Sequence, residues 1–91
     1  MHIKELKAKA HKLEPVVIIG AKGLTEEVLA EIERALKAHE LIKVRAPVLE
    51  RGERNQVLNQ VCERTGAQPV QQVGKVFVIH RKNPAEARKN P

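Results

Sequence analysis

A chain of 91 residues is long enough for one compact domain and too short for two, because a domain of this size buries only about two thirds of the surface its unfolded chain exposes. Seventeen Lys and Arg against 11 acids leave a net charge of +6 and a pI near 9.8, a balance that favours polyanionic partners. The chain contains no Asp, Ser, Tyr or Trp, which excludes a serine nucleophile and an Asp-built metal cluster.

From the N-terminus, Ile3, Leu6, Ala10 and Leu13 recur at helical spacing and predict an amphipathic helix over about residues 2–12. Pro15 forces an extended start, and Val16, Val17, Ile18 and Ile19 form a β-branched run closed by Gly20, as expected of a central strand covered on both faces. Leu24, Val28, Ile32, Ala35 and Leu36 mark one face of a second helix that ends near His39. Thr25 is its expected N-cap, and Glu26 and Glu27 favour its positive end. Between Leu41 and Val48, Ile42, Val44, Ala46 and Val48 alternate with Lys43 and Arg45, the pattern of a half-exposed strand, and Pro47 places its end at an edge or leaving the sheet.

A third helix is predicted over Glu53 to Thr65, with Val57, Leu58, Val61 and Cys62 inward and Gly66 as a left-handed cap. Val70–Val73 and Val76–Ile79 flank Gly74 and Lys75 and should pair as a hairpin. The fold class is therefore α/β: a two-layer, four-stranded mixed sheet with packed helices in the order α-β-α-β-α-β-β. One domain spans 1–82, followed by a short basic tail over 83–91, where two prolines interrupt a stretch without apolar periodicity.

The charge is unevenly sorted. Residues 1–23 carry +3, residues 24–40 carry −3 and residues 41–91 carry +6, so a basic side should face a partner while the second helix faces solvent. No apolar N-terminal stretch and no membrane-length run is present, and a single cysteine allows no internal disulfide. A cytoplasmic monomer is the expectation.

Catalysis has few candidates. Cys62 falls on an apolar helix face, where a thiol is inert, and His2, His11, His39 and His80 share no metal-ligand spacing. Glu31 with Arg34 and Glu33 with Lys37 sit at the spacing of solvated helix pairs. No enzyme activity and no cofactor are expected. The loop Gly20-Ala21-Lys22-Gly23 is different, because it stands between the end of a strand and the start of a helix. There open N–H groups attract phosphate, glycines allow close approach of a sugar-phosphate chain, and Lys22 adds a charge. Gly20 and Gly23 both permit positive φ. With Phe77 as the sole aromatic, in a core strand, stacking platforms are lacking, and recognition should rest on backbone and shape. Lys4, Lys7 and His11 on the first helix, Lys43 and Arg45 on the sheet, and Arg81 and Lys82 near the end are the further cationic candidates.

Pro15 to Gly20, then Ala21-Lys22-Gly23-Leu24-Thr25, the Glu-rich helix and His39-Glu40-Leu41-Ile42-Lys43-Val44 together resemble a CRM domain, most closely the free-standing bacterial, YhbY-like kind. The similarity runs from the first helix through Gly66 to Val73-Gly74-Lys75. It implies a fold similar to the C-terminal domain of translation initiation factor three, and RNA binding centred on Gly20, Lys22 and Gly23. It also implies a part in assembly of the large ribosomal subunit, with ribosomal RNA as partner. A structural protein coating duplex DNA is the alternative, since some small archaeal chromatin proteins have a similar fold.

Overall fold

A computed structural model describes residues 3–83 of the chain. In order, the elements are α1 (Ile3–Ala10), β1 (Val17–Ile18), α2 (Glu26–His39), β2 (Leu41–Arg45), α3 (Arg51–Thr65), β3 (Gln68–Val73) and β4 (Val76–His80). The four strands form one mixed sheet in the order β1-β2-β4-β3. β1 and β2 are parallel, and β4 is antiparallel to both of its neighbours. The expected four-stranded mixed sheet with three helices is therefore present.

Residues 15–19 differ from expectation in one respect. The apolar run suggested a central strand, but β1 is an edge strand, and only Val17 and Ile19 face the core while Val16 and Ile18 are exposed. A continuous β-branched run is consistent with two covered faces, yet it carries no signal for which neighbours exist.

Both helices that follow a strand return the chain across the same face. Ile32 and Leu36 of α2 and Val57, Leu58 and Val61 of α3 pack on Val17, Ile19, Ile42, Val44, Phe77 and Ile79 to form the main core. α1 covers the opposite face, where Leu6 and Ala10 meet Leu41, Val70 and Val78. Helices thus lie on both sides, where two layers were expected, because Leu41 and Val78 make the second sheet face apolar at one end.

Local chemistry fixes the ends of these elements. Thr25 caps α2 by accepting from the Val28 N–H at 3.2 Å. The Glu53 carboxylate accepts from the Glu50 N–H at 2.9 Å and extends α3 back to Arg51, two residues before the expected start. Gly66 closes α3 in the left-handed conformation, φ 78°, donating to the Cys62 carbonyl. Gly74, φ 57°, takes the first turn position of the β3–β4 hairpin, the place where a II′ turn demands glycine. Val48 was expected in line with Val44 and Ala46, but the chain has left the sheet by Pro47, so Val48 is exposed and Leu49 fills the core. Cys62 sits at the margin of the core, half-buried, and burial pushes its thiol pKa up, the direction of an inert thiol.

The segment after β4 is built into the fold. Asn83, assigned to the tail by sequence, is buried, and its Nδ2 donates to the Leu36 and Lys37 carbonyls at 3.2 and 2.8 Å, satisfying the last turn of α2. Residues 84–91 of the expected tail lie outside the described residues. Arg81 donates to Glu33 at 2.7 Å and to the Thr65 carbonyl at 3.0 Å, tying β4 to both α2 and α3. The Arg81 hydrogen bond holds the Glu33 carboxyl below its ordinary pKa, outweighing the opposing effect of burial. A carboxylate with a depressed folded pKa contributes stability above the unfolded pKa and loses it as pH falls through the folded one. The gap in melting temperature between the parent and Glu33→Gln should therefore be widest near neutral pH and close in acid. A gap that widens on acidification would contradict this pairing.

Candidate nucleic-acid interface

Where β1 ends, the Ile19 N–H donates to the Arg45 carbonyl at 2.8 Å, and the chain then leaves the sheet. The Gly23 N–H returns to the Gly20 carbonyl at 3.0 Å, so Gly20-Ala21-Lys22-Gly23 closes as a single four-residue turn. Ala21 and Lys22 stand exposed at its tip. Among the described residues, the N–H groups of Gly20, Ala21 and Lys22 have no acceptor, so three consecutive donors lie unpaired beside the exposed Lys22.

The two glycines are not equivalent. Gly23 adopts φ 74°, which an L side chain resists, so the turn itself requires it. Gly20 lies outside the left-handed region, and a Cβ built there would meet nothing within 4 Å. Folding supplies no reason for glycine at position 20.

Behind the loop, α2 begins at Glu26 with first-turn N–H groups that have no intrahelical partner. The Glu26 carboxylate reaches Arg64 of α3 at 3.4 Å, an exposed pair of little energetic weight that nonetheless draws one nearby negative charge toward α3.

The sheet register gathers further cations at this end. Ile18 lies opposite Arg45, Arg45 opposite Val76, and the Ala46 N–H donates to the Lys75 carbonyl at 2.8 Å. Arg51 and Arg54 share a polar pocket with Gly74 and Gln72, which brings the first turn of α3 to the same hairpin. Lys22, Arg45, Arg51 and Lys75 are exposed there, and among the described residues none is paired with a carboxylate. Sequence reasoning missed Arg51, Arg54 and Lys75, because only the register and the hairpin turn place them at the end of the sheet where the loop stands.

Other expected candidates are placed differently. Lys43 is half-buried on the same sheet face as Arg45. Lys4 and Lys7 are exposed on α1, which packs on that face, so they share a side of the molecule with Lys43 without meeting the loop. Arg81 is withdrawn from the set by its bonds to Glu33 and Thr65. His39 and His80, separate in sequence, both line a groove beside the end of α1, while His11 is exposed on the segment after α1 and His2 lies outside the described residues. The acidic helix α2, with four carboxylates against two cations, packs on the far face of the sheet from α1, beside α3 with Arg51, Arg54 and Arg64.

This arrangement of loop, sheet and helices is shared with known proteins. The family model described as the CRS1 / YhbY (CRM) domain matches residues 1–81. The chain belongs to the CRM domain family. A probable RNA-binding protein of Pseudomonas aeruginosa is 47% identical over 81 residues, 89% of this chain and 78% of that protein. An RNA-binding protein of Haemophilus influenzae is 46% identical over 84 residues, 92% of this chain and 83% of that one. The CRM domain described above is also similar to the solution structure of a hypothetical protein from Staphylococcus aureus. There the TM-score is 0.80 at 28% identity, covering 90% of this chain and 85% of the other. In this CRM domain the match takes in α1, the glycine turn, the acidic helix and the hairpin together.

Proposed function

We propose that this CRM domain is a non-catalytic RNA-binding protein that grips the sugar-phosphate backbone of structured RNA at Gly20, Ala21, Lys22 and Gly23. Arg45, Lys43 and the cations of the hairpin end extend the contact, and Lys4 and Lys7 add to the field on the same side. The reading rests above all on Gly20, a glycine the fold does not need beside three N–H groups with nothing to donate to. The names of the relatives support RNA as the partner class. The resemblance to free-standing bacterial CRM proteins points further, to ribosomal RNA in precursors of the large subunit. The protein would act there in the cytoplasm, as a monomer and without a cofactor.

The two glycines separate a binding role from a turn-forming one. Gly20→Ala should keep or slightly raise stability, by up to about 1 kcal/mol, because the folded backbone accepts Ala while the unfolded chain loses freedom. It should weaken RNA binding severalfold by inserting a methyl where the backbone must approach. Gly23→Ala should instead lower stability by about 1–2 kcal/mol through its left-handed φ. Thermal melts and titrations with a structured RNA, with duplex DNA as competitor, check all three statements. Unchanged affinity in Gly20→Ala would remove the observation on which the reading stands, and displacement of RNA by equimolar duplex DNA would favour a duplex-coating role.

A further inference from the structure

Among the described residues, the sheet face beneath α1 is only half covered. Leu6 and Ala10 of α1 lie over Leu41, Val70 and Val78, at the end away from the glycine turn. At the near end the register lines up one outward-facing residue from each strand: Ile18, Arg45, Val76 and Val73. Ile18 is 59% and Val73 64% exposed, and Val16, 50% exposed, stands beside Lys43, to whose carbonyl its N–H donates at 3.0 Å. Three of the five exposed large hydrophobic residues of the described chain thus share one strip. Single exposed apolar residues need no explanation, but a cluster of them does.

We infer that this strip seats unpaired nucleotides of the RNA held at the glycine turn, a step that rests on the RNA-binding reading above. The occupant must be apolar where it meets Ile18, Val73 and Val76 and anionic where it meets Arg45 and Lys43, since no carboxylate stands among the outward-facing residues of the row. Nucleobases with their attached phosphates have that combination, and a guanidinium plane such as Arg45 stacks on a base face without needing an aromatic ring. A duplex does not, because its base faces are stacked inside. A second copy of the chain fits poorly: two-fold packing of the strip on itself would set Arg45 near Arg45. The dimensions agree. Four strands span about 14 Å between their outer axes, and Val16 lies about 13 Å up the chain from Gly20, space for roughly two or three bases. The strip also continues through Val16 and Lys43 into a groove of about 510 Å³ whose walls include Leu13 and Leu41, the cations Lys9 and Lys12, and the carboxylates Glu14 and Glu40.

The experiment compares two RNA probes, a blunt hairpin and the same hairpin with a four-nucleotide unpaired 3′ or 5′ extension. The parent should bind the extended probe about tenfold more tightly, an increment in the range that base contacts supply. Ile18→Thr with Val73→Thr, which keep strand propensity, should abolish that advantage while leaving the blunt hairpin's affinity and the melting temperature unchanged. Equal binding of the two probes by the parent, for extensions of either polarity, overturns this inference and leaves the turn as the RNA contact. Failure to bind either probe overturns the RNA-binding reading itself. Self-association of the parent in sedimentation that the Thr pair abolishes would assign the strip to a second copy instead.

Discussion

Affinity for a structured RNA should fall about 60- to 1000-fold when monovalent salt rises fourfold, a log-log slope between roughly −3 and −5 for four to six neutralised phosphates. The expectation follows from the inventory at the hairpin end of the sheet. Lys22, Arg45, Arg51 and Lys75 are exposed there and unpaired among the described residues, with Lys43 half-buried nearby. The sole aromatic, Phe77, is fully buried, so aromatic stacking, which would be insensitive to salt, cannot carry the binding. Phosphate contacts must then supply most of the free energy, and each releases counterions whose return is favoured by salt. Binding titrations from about 50 to 200 mM KCl measure the slope. A slope near zero would contradict the recognition of RNA through its backbone.

Much of this architecture is written in local patterns. Leu24, Val28, Ile32 and Leu36 place α2 almost to the residue, since a 3.6-residue period, a Thr cap and first-turn acids all agree. Gly66 and Gly74 stand where left-handed φ is observed. What local pattern does not contain is adjacency. The Val16–Ile19 run gave no sign that β1 would be an edge, because strand order depends on crossovers made by residues far along the chain. The two faces of the sheet were likewise hidden, since Leu41 and Val78 read as ordinary strand residues until α1 is seen to cover them. Asn83 shows the same limit: an Asn between Lys and Pro looks like a tail, and only the carbonyls of Leu36 and Lys37 explain why it is buried.

The candidate site divides along the same line. The glycine turn is contiguous in sequence, so its composition was visible at once, and so was the sorting of charge between α2 and the rest. Its partition into one glycine the backbone needs and one it does not was invisible, because φ at position 20 is set by how β1 exits the sheet beside Arg45. Arg81 looked like a free cation in a basic stretch, and the distant carboxylate of Glu33 consumes it. Arg51 and Lys75 looked incidental, and the hairpin brings them to the same end of the sheet as the loop. The apolar strip needed the register of all four strands before Ile18 and Val73 could be seen to share a face.

Replacing Ala21 and Lys22 together with Asp should weaken RNA binding by about 2 kcal/mol or more, roughly thirtyfold, while the melting temperature stays close to the parent's. The fold should tolerate the change because both side chains stand exposed at the turn tip, the Gly23 N–H to Gly20 carbonyl bond is untouched, and Gly23 retains its positive φ. Asp is at home in turns, and negative charge near the start of α2 favours the helix. Binding should not tolerate it, since one cation is lost and two carboxylates appear beside the N–H groups proposed to hold a phosphate. The control is Glu31→Lys on the exposed face of α2, which adds positive charge on the far side of the sheet and should alter affinity only weakly through the screened field. Glu33 would be a poor control, because its carboxylate holds Arg81 and its loss would disturb the fold. Affinity measured at one salt concentration, with melts on every variant, decides the outcome. A folded double variant that binds RNA as the parent does would mean that the turn only reverses the chain, and would move the contact to the face of Lys43 and Arg45.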